Sequence, residues 1–494
     1  MSLVSIVLIG LFCGLLFLYF LVPKEKQNTV LFLANLMFIY YAGGLRTLIY
    51  LLGSTLVTYF GALLLERKKK PISRKMIFAV VVGSNVFVLV FTRYLGFFTA
   101  GRLQAFPAAL GVSFYTLQLV GYFLDVYMEK IVAEKSFFRY GVFATFFVQI
   151  SMGPISRYAD LGEELRQEHR LNYKALTFGL QRILWGLFKK LVISERLAVP
   201  VKAIFDDPDA FGGLYIFLAL FFFAIELYTD FSGYMDIALG AAEILGIKVK
   251  ENFETPFFSR SCSEFWRRWH ITLGTWCKDY IYYPLLKTNI FVKFGKWCRN
   301  KFGKKRGKMP PVHLALLVLW FSVGFWHGGA WKYIIGSGLL HCFYIVGGQI
   351  CEPIFKKAKS LLHVRTDCFS YRLFERVRTF WMICFGFLFF RSADVPSAIH
   401  MIKSAMRLDL RALSISGWEL LGIDRQDAVL VILCILILLF VSTLQYCKGS
   451  VRQILAQQNI IFRWFIYLVL LYSVLIFGMY GPGFVTNQFI YQNF

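Results

Sequence analysis

Gly324-Phe325-Trp326-His327-Gly328-Gly329 is the stretch on which the reading of this chain turns. It lies within residues 314–348, which otherwise have the composition of a membrane span. An ionisable side chain at bilayer depth is costly, so it usually faces a polar cavity and has a task. Histidine is the side chain most easily poised to exchange a proton near neutral pH. A second histidine closes Glu264-Phe265-Trp266-Arg267-Arg268-Trp269-His270, beside an equally apolar stretch. No metal-ligand spacing joins the two, so the pair suggests proton chemistry within lipid.

Outward from this point, apolar stretches recur at 3–22, 29–41, 48–65, 76–91, 137–150, 214–228, 313–325, 333–346, 380–390, 428–444 and 462–479. Hydrophobic residues make up 57% of the 494 residues, and the mean hydropathy is +0.58. A soluble domain of this size would not carry that composition. At roughly 20 residues per crossing, the pattern predicts an all-α polytopic membrane protein with about eleven transmembrane helices. Its 18% aromatic content suits interfacial belts. The first apolar run, to Val22, lacks a positive leader and a small-residue cleavage site, and reads as a retained helix.

The net charge of +25 would suggest nucleic acid in a soluble protein. Here the excess sits between spans, in Arg67-Lys68-Lys69-Lys70 and across 293–308. The positive-inside rule and attraction to anionic lipid account for it without nucleic acid. A basic cytoplasmic face would also favour a polyanionic donor such as coenzyme A. The ten cysteines show neither a disulfide framework nor a zinc pattern.

Placing Lys24, Lys26 and the basic loop 66–75 in the cytoplasm puts the N-terminus outside. Lys448, Arg452 and Arg463 precede the last span, which puts the tail 481–494 outside or in an outward-facing cavity. Segments 106–127 and 257–286 mix glycine, proline and polar residues with aromatics and read as broken or re-entrant helices. Residues 287–311 read as a solvated cytoplasmic loop. The whole chain forms one membrane domain in this reading. N-terminal helices occupy 1–104, a core with the histidine motifs 105–350, C-terminal helices 351–480, and the tail 481–494.

On a single helix beginning near Ser263, Trp266, His270, Leu273 and Cys277 share one face. Arg267, Arg268 and Lys278 then lie off that stripe, towards headgroups or a phosphate-bearing ligand. Glu226, Asp230 and Asp236 form an acidic group that must be paired or neutralised. Arg260, Arg267 and Arg268 are the expected partners, in a salt-bridged brace rather than a proton or ion path. His341 is placed to line the same cavity as His327, whereas His169, His313, His363 and His400 read as interfacial.

Several longer motifs resemble the membrane-bound O-acyltransferase family. They are Gly111-Val112-Ser113-Phe114-Tyr115, Gly153-Pro154-Ile155-Ser156-Arg157-Tyr158, Asp230-Phe231-Ser232-Gly233-Tyr234, Glu251-Asn252-Phe253, the two histidine motifs, and Phe389-Phe390-Arg391. The branch is similar to bacterial alginate O-acetyltransferases and D-alanyl-lipoteichoic acid transfer proteins. The resemblance implies a ring of tilted helices, with re-entrant helices, around a central funnel. His327 would be the family's invariant histidine and His270 its second. The donor would be a cytoplasmic thioester and the acceptor would be reached from outside.

Phe489-Ile490-Tyr491-Gln492-Asn493-Phe494 resembles a C-terminal motif of this branch whose tyrosine carries the acyl group transiently. The resemblance therefore implies a bacterial inner-membrane enzyme that O-acetylates a surface polysaccharide from acetyl-coenzyme A, without a metal. Its catalytic residues would be His327, His270 and Tyr491. Arg267, Arg268 and Lys278 would hold donor phosphates, and an extracytoplasmic SGNH-type partner would carry the acyl group onward. The alternatives are D-alanyl transfer to teichoic acid from a carrier-protein thioester and, in another class, a transporter or flippase.

Overall fold

The computed structural model describes residues 6–68, 70–99, 101–103 and 108–481. It is helical throughout, and the one β-bridge among the described residues joins Phe253 to Trp269. Seven helices are long and apolar enough to cross a membrane: Lys24–Arg67, Pro71–Phe98, Leu214–Ile244, Met309–His327, Trp331–Leu361, Arg425–Lys448 and Ile460–Phe477. Lys24–Arg67 absorbs two expected spans. At 1.5 Å per residue its 44 residues would run about 66 Å, twice a hydrocarbon core. The helix is interrupted at Gly44, whose φ of 71° is open to glycine.

The two segments expected to be broken behave differently. Val112–Tyr127 is one continuous helix with 15 of its 16 residues buried. Its polar residues are enclosed by protein, which is why its composition did not look like a lipid-facing span. Segment 257–286 is broken as expected, into a 3-10 turn, the short helices Cys262–Arg268 and Ile271–Cys277, and a π-helical turn at Lys278–Tyr282. The basic stretch after it is not a loop. Thr288 caps a helix, Asn289–Arg306, that carries seven Lys or Arg and no acid. Lysine and arginine are good helix formers, and Gly303, with φ 80°, interrupts the helix before Lys304-Lys305-Arg306.

The chain forms two compact units. One is built mainly from Met1–Glu195 and Tyr228–Glu251. Its interior holds a charge network that differs from the expected one. Lys190 Nζ lies 2.6 Å from both Asp230 and Glu195. Lys189 Nζ lies 2.6 Å from Asp236, which also binds Arg182 at 3.0 Å. The acids Asp230 and Asp236 are thus paired by Lys189, Lys190 and Arg182, not by Arg260, Arg267 or Arg268. Adjacent residues on an α-helix point about 100° apart, yet Lys189 and Lys190 are both buried. They sit in a π-helical turn, Phe188–Ser194, all seven residues of which are buried.

The other unit comprises Arg196–Leu227 and Asn252–Val451. Three of its helices meet backbone to backbone. A Cβ on Gly338 would lie 2.5 Å from the Trp320 carbonyl oxygen, and one on Gly324 2.8 Å from the Tyr333 carbonyl. A Cβ on Gly336 would stand 2.9 Å from the Gly386 carbonyl. Small residues allow this approach where lipid supplies no hydrophobic drive between helices. Gly338→Val is therefore expected to cost at least about 1–3 kcal/mol through overpacking. It should lower the melting temperature in detergent or prevent recovery of folded protein. Gly347→Ala, in the same span with no atom within 4 Å of the added Cβ, should be neutral or mildly stabilising. Equal melting of both variants and wild type would contradict this packing.

Candidate functional site

His327 is the last residue of the helix Met309–His327 and is 3% exposed. Its ring packs edge-on against Phe390 at 5.8 Å and Trp326 at 5.1 Å, centroid to centroid. The Trp326 ring also meets His270 at 5.9 Å, so one indole touches both imidazoles. His327 is within electrostatic range of His270 and His341. The three buried histidines form one cluster in the second unit.

His270 is not on the face of a single helix. The helix Cys262–Arg268 ends first, and His270 adopts a left-handed conformation with φ 47° and ψ 50° before Ile271–Cys277 begins. Its start is fixed by Ser261, which caps Glu264 N–H at 3.2 Å, while Glu264 accepts from Arg260 N–H at 2.9 Å. The break comes from pairing with an upstream segment. Glu254 N–H donates to the Arg268 carbonyl at 2.9 Å and Ile271 N–H to the Asn252 carbonyl at 3.0 Å. Left-handed backbone at a non-glycine residue costs roughly 1–2 kcal/mol and persists only where its surroundings impose it.

Asn252 fixes the imidazole. It is fully buried. Its Oδ1 accepts from Thr272 N–H at 3.1 Å and from Thr272 Oγ1–H at 2.9 Å, which identifies that atom as the oxygen. His270 Nδ1, 3.3 Å from the same oxygen, must then donate. The proton resides on Nδ1 and the lone pair on Nε2. Sequence inspection quoted Asn252 within a motif but assigned it no role. A buried asparagine demands partners, yet no local spacing pairs residue 252 with residue 270.

His341 is fully buried. It stands edge-on to Trp266 at 4.8 Å and near Trp320 at 5.9 Å. The remaining histidines divide. His313 and His400 are half-buried, beside Gln349 and Asp209. His169 is not interfacial: it is buried, and its Nδ1 lies 2.7 Å from the Tyr19 hydroxyl.

Of the expected phosphate ligands, Arg267 is exposed and donates to Ser263 Oγ at 3.1 Å. Arg268 pairs with Glu264 at 3.0 Å and reaches Thr255 Oγ1 at 3.2 Å. Lys278 is exposed, at the start of the π-helical turn. Arg260, expected to pair with the acidic group, instead binds Glu375 at 2.6 Å. Tyr491 lies outside the described residues.

The sequence model of the membrane-bound O-acyltransferase family matches residues 131–393, just over half of the chain and all three clustered histidines. The chain is 27% identical over 431 residues to a peptidoglycan O-acetyltransferase of Helicobacter pylori, covering 79% of this chain and 77% of that protein. It is 27% identical over 432 residues to the probable alginate O-acetylase AlgI of Pseudomonas aeruginosa, covering 83% and 74%. A teichoic acid D-alanyltransferase of Bacillus subtilis is 30% identical over 288 residues, covering 57% of this chain and 68% of that protein.

The His270 geometry makes a specific prediction. Asn252→Ala should lower kcat by roughly 10- to 100-fold, the usual cost of losing a group that orients a functional histidine, with a smaller change in KM. Asn252→Asp keeps an acceptor oxygen and should recover part of the loss. Equal activity of the alanine variant and wild type, or no rescue by aspartate in a folded protein, would remove Asn252 from this role.

Proposed function

This chain belongs to the membrane-bound O-acyltransferase family, and from that premise we propose that it moves an acetyl group from cytoplasmic acetyl-coenzyme A across the membrane to O-acetylate a cell-surface polysaccharide. The observation that carries this reading is the histidine cluster. His327 and Phe390 come together at the C-terminal ends of two helices, Met309–His327 and Phe369–Arg391, whose N-terminal ends both follow basic segments. By the positive-inside rule those basic ends face the cytoplasm. A group at His327 is then reached through protein from the cytoplasm and lies towards the outer side.

In this mechanism His327 is the general base. It removes the proton from the attacking hydroxyl as that oxygen adds to the thioester carbonyl. The carbon–sulfur bond then breaks, and the thiolate takes the proton from His327 as it leaves. His270, with its proton committed to Asn252 through Nδ1 and a lone pair on Nε2, positions the donor as a hydrogen-bond acceptor. Tyr491 is the proposed first acceptor. A phenol titrates near pH 10, so it needs a base to attack at neutral pH. The aryl ester it forms is a better acyl donor than an alkyl ester, which suits onward transfer by an extracytoplasmic SGNH-type partner. The setting is the bacterial inner membrane. The names of the Helicobacter and Pseudomonas relatives support acetylation of a glycan. The Bacillus relative supports D-alanyl transfer to teichoic acid as the second reading, which a carrier-protein thioester would feed. The ion pairs around Asp230 and Asp236 favour a brace over the ion path that a transporter would use.

His327→Ala should abolish surface acetylation, since a general base contributes about 10²–10⁴-fold, while folded protein still inserts. Surface acetylation at the wild-type level in that variant would refute the assignment. Tyr491→Phe keeps the ring and removes the nucleophile. It should stop transfer to the glycan while donor binding persists, and normal polysaccharide acetylation in Tyr491→Phe cells would eliminate the relay.

A further inference from the structure

The helix Phe369–Arg391 connects the histidine cluster to a second group of polar residues that the mechanism above does not use. One face of this helix presents Arg376, Phe380, Ile383, Phe387 and Phe390 in order, at alternating spacings of four and three. Each aromatic rung touches a named partner. Phe380 meets Phe257 at 5.3 Å, Phe387 meets Trp269 at 5.6 Å, and Phe390 meets His327 at 5.8 Å. At the first rung, the Arg376 guanidinium lies 5.7 Å from the Phe258 ring centre and 5.2 Å from that of Tyr446. The Phe258 and Tyr446 rings are themselves stacked at 5.0 Å, and Arg268 stands 5.4 Å from Tyr446.

The charge of this group is unbalanced. Glu264 neutralises Arg268 and Glu375 neutralises Arg260. Arg376 and Arg378 have no carboxylate partner among the described residues; Arg378 donates to the Arg260 carbonyl at 2.8 Å. Arg376 Nε–H is buried and has no hydrogen-bond acceptor among the described residues. Tyr446 remains 38% exposed. Arg376 stands beside this partly open ring, while Arg378 faces the Phe374 ring and the Arg260 carbonyl; two guanidinium groups without a carboxylate near an aromatic ring suit a ligand with phosphates and a flat base.

The distance decides between sources of phosphate. Arg376 precedes Phe390 by fourteen residues, so the helix separates them by about 21 Å at 1.5 Å per residue. The pantetheine arm of coenzyme A has the reach of an extended chain of about five or six residues, roughly 18 Å at 3.3 Å per residue. A donor whose diphosphate rests at Arg376 therefore presents its thioester close to His327. A phospholipid headgroup needs no such spacing and no aromatic partner.

We propose that Arg376, Arg378 and Arg268, with Tyr446, bind the phosphorylated adenosine diphosphate end of coenzyme A, and that the helix Phe369–Arg391 sets the span from this site to His327. The inference rests on the acetyl-coenzyme A reading above and adds where and how the nucleotide is held. It moves the anchor away from Arg267 and Lys278 to residues far along the sequence.

The test uses the full-length protein in inside-out vesicles of producing cells, supplied with radiolabelled acetyl-coenzyme A or acetyl-pantetheine, which lacks the nucleotide. The readout is the ratio of kcat/KM for the two donors. Arg376→Gln and Arg378→Gln should each reduce that ratio by about tenfold or more, the loss expected for one charge-assisted phosphate contact, chiefly through KM for acetyl-coenzyme A. Adenosine 3′,5′-bisphosphate should compete with acetyl-coenzyme A in wild type and compete less in the variants. An unchanged ratio, or an equal fall for both donors, overturns the site. So does a variant effect that appears only as altered dependence on anionic lipid, which would mark a headgroup contact. If wild-type vesicles do not use acetyl-coenzyme A at all, the donor reading itself fails, a result separate from an unchanged ratio in active variants.

Discussion

Polar groups cannot be left to solvent inside hydrocarbon, so protein must surround every one that the chemistry requires. In the second unit this enclosure depends on backbone contact. Gly324 against the following span, and Gly336 against Gly386, let three helices approach without intervening side chains. That approach places His327 and His341 among Trp326, Trp320, Trp266 and Phe390. Aromatic rings fill the space around the imidazoles, and the Trp266 indole N–H is buried there without a hydrogen-bond acceptor among the described residues.

The two central histidines are held by different means. His327 stands at a helix end, fixed by ring packing. His270 is fixed by covalent geometry and hydrogen bonding, through a left-handed residue and the Asn252 oxygen. His327 is packed edge-on between the Trp326 and Phe390 rings at its helix end. A positioning group benefits from a committed tautomer, which Asn252 supplies. The first unit contains its charges in closed ion pairs instead, and that arrangement suits a brace.

Much of this was legible in the sequence. The all-helical membrane class followed from hydropathy and the family from its motifs, and the cost of histidine in lipid singled out residues 270 and 327, whose rings meet the same indole. What was not legible has common physical causes. The break at His270 arises from pairing with residues 252–254, a contact that helical spacing cannot reveal. The partners of Asp230 and Asp236 were misassigned because Phe188–Ser194 is enclosed on every side, so that the adjacent Lys189 and Lys190 are both buried, which helical spacing does not suggest. The basic segment after residue 287 looked like a loop because its apolar residues are few, but capping and helix-forming lysines suffice for a helix. Val112–Tyr127 looked broken because its polar residues face protein rather than lipid.

The central claim is that an acyl group enters from the cytoplasmic side and leaves on the other. Sealed membrane vesicles of opposite orientation test it directly, with radiolabelled acetyl-coenzyme A added only to the external medium. Inside-out vesicles, which expose the cytoplasmic face to the donor, should label glycan within the lumen. Right-side-out vesicles should label none until they are permeabilised. Equal labelling of intact vesicles in both orientations, or labelling confined to the right-side-out preparation, would contradict transfer through the histidine cluster from a cytoplasmic donor.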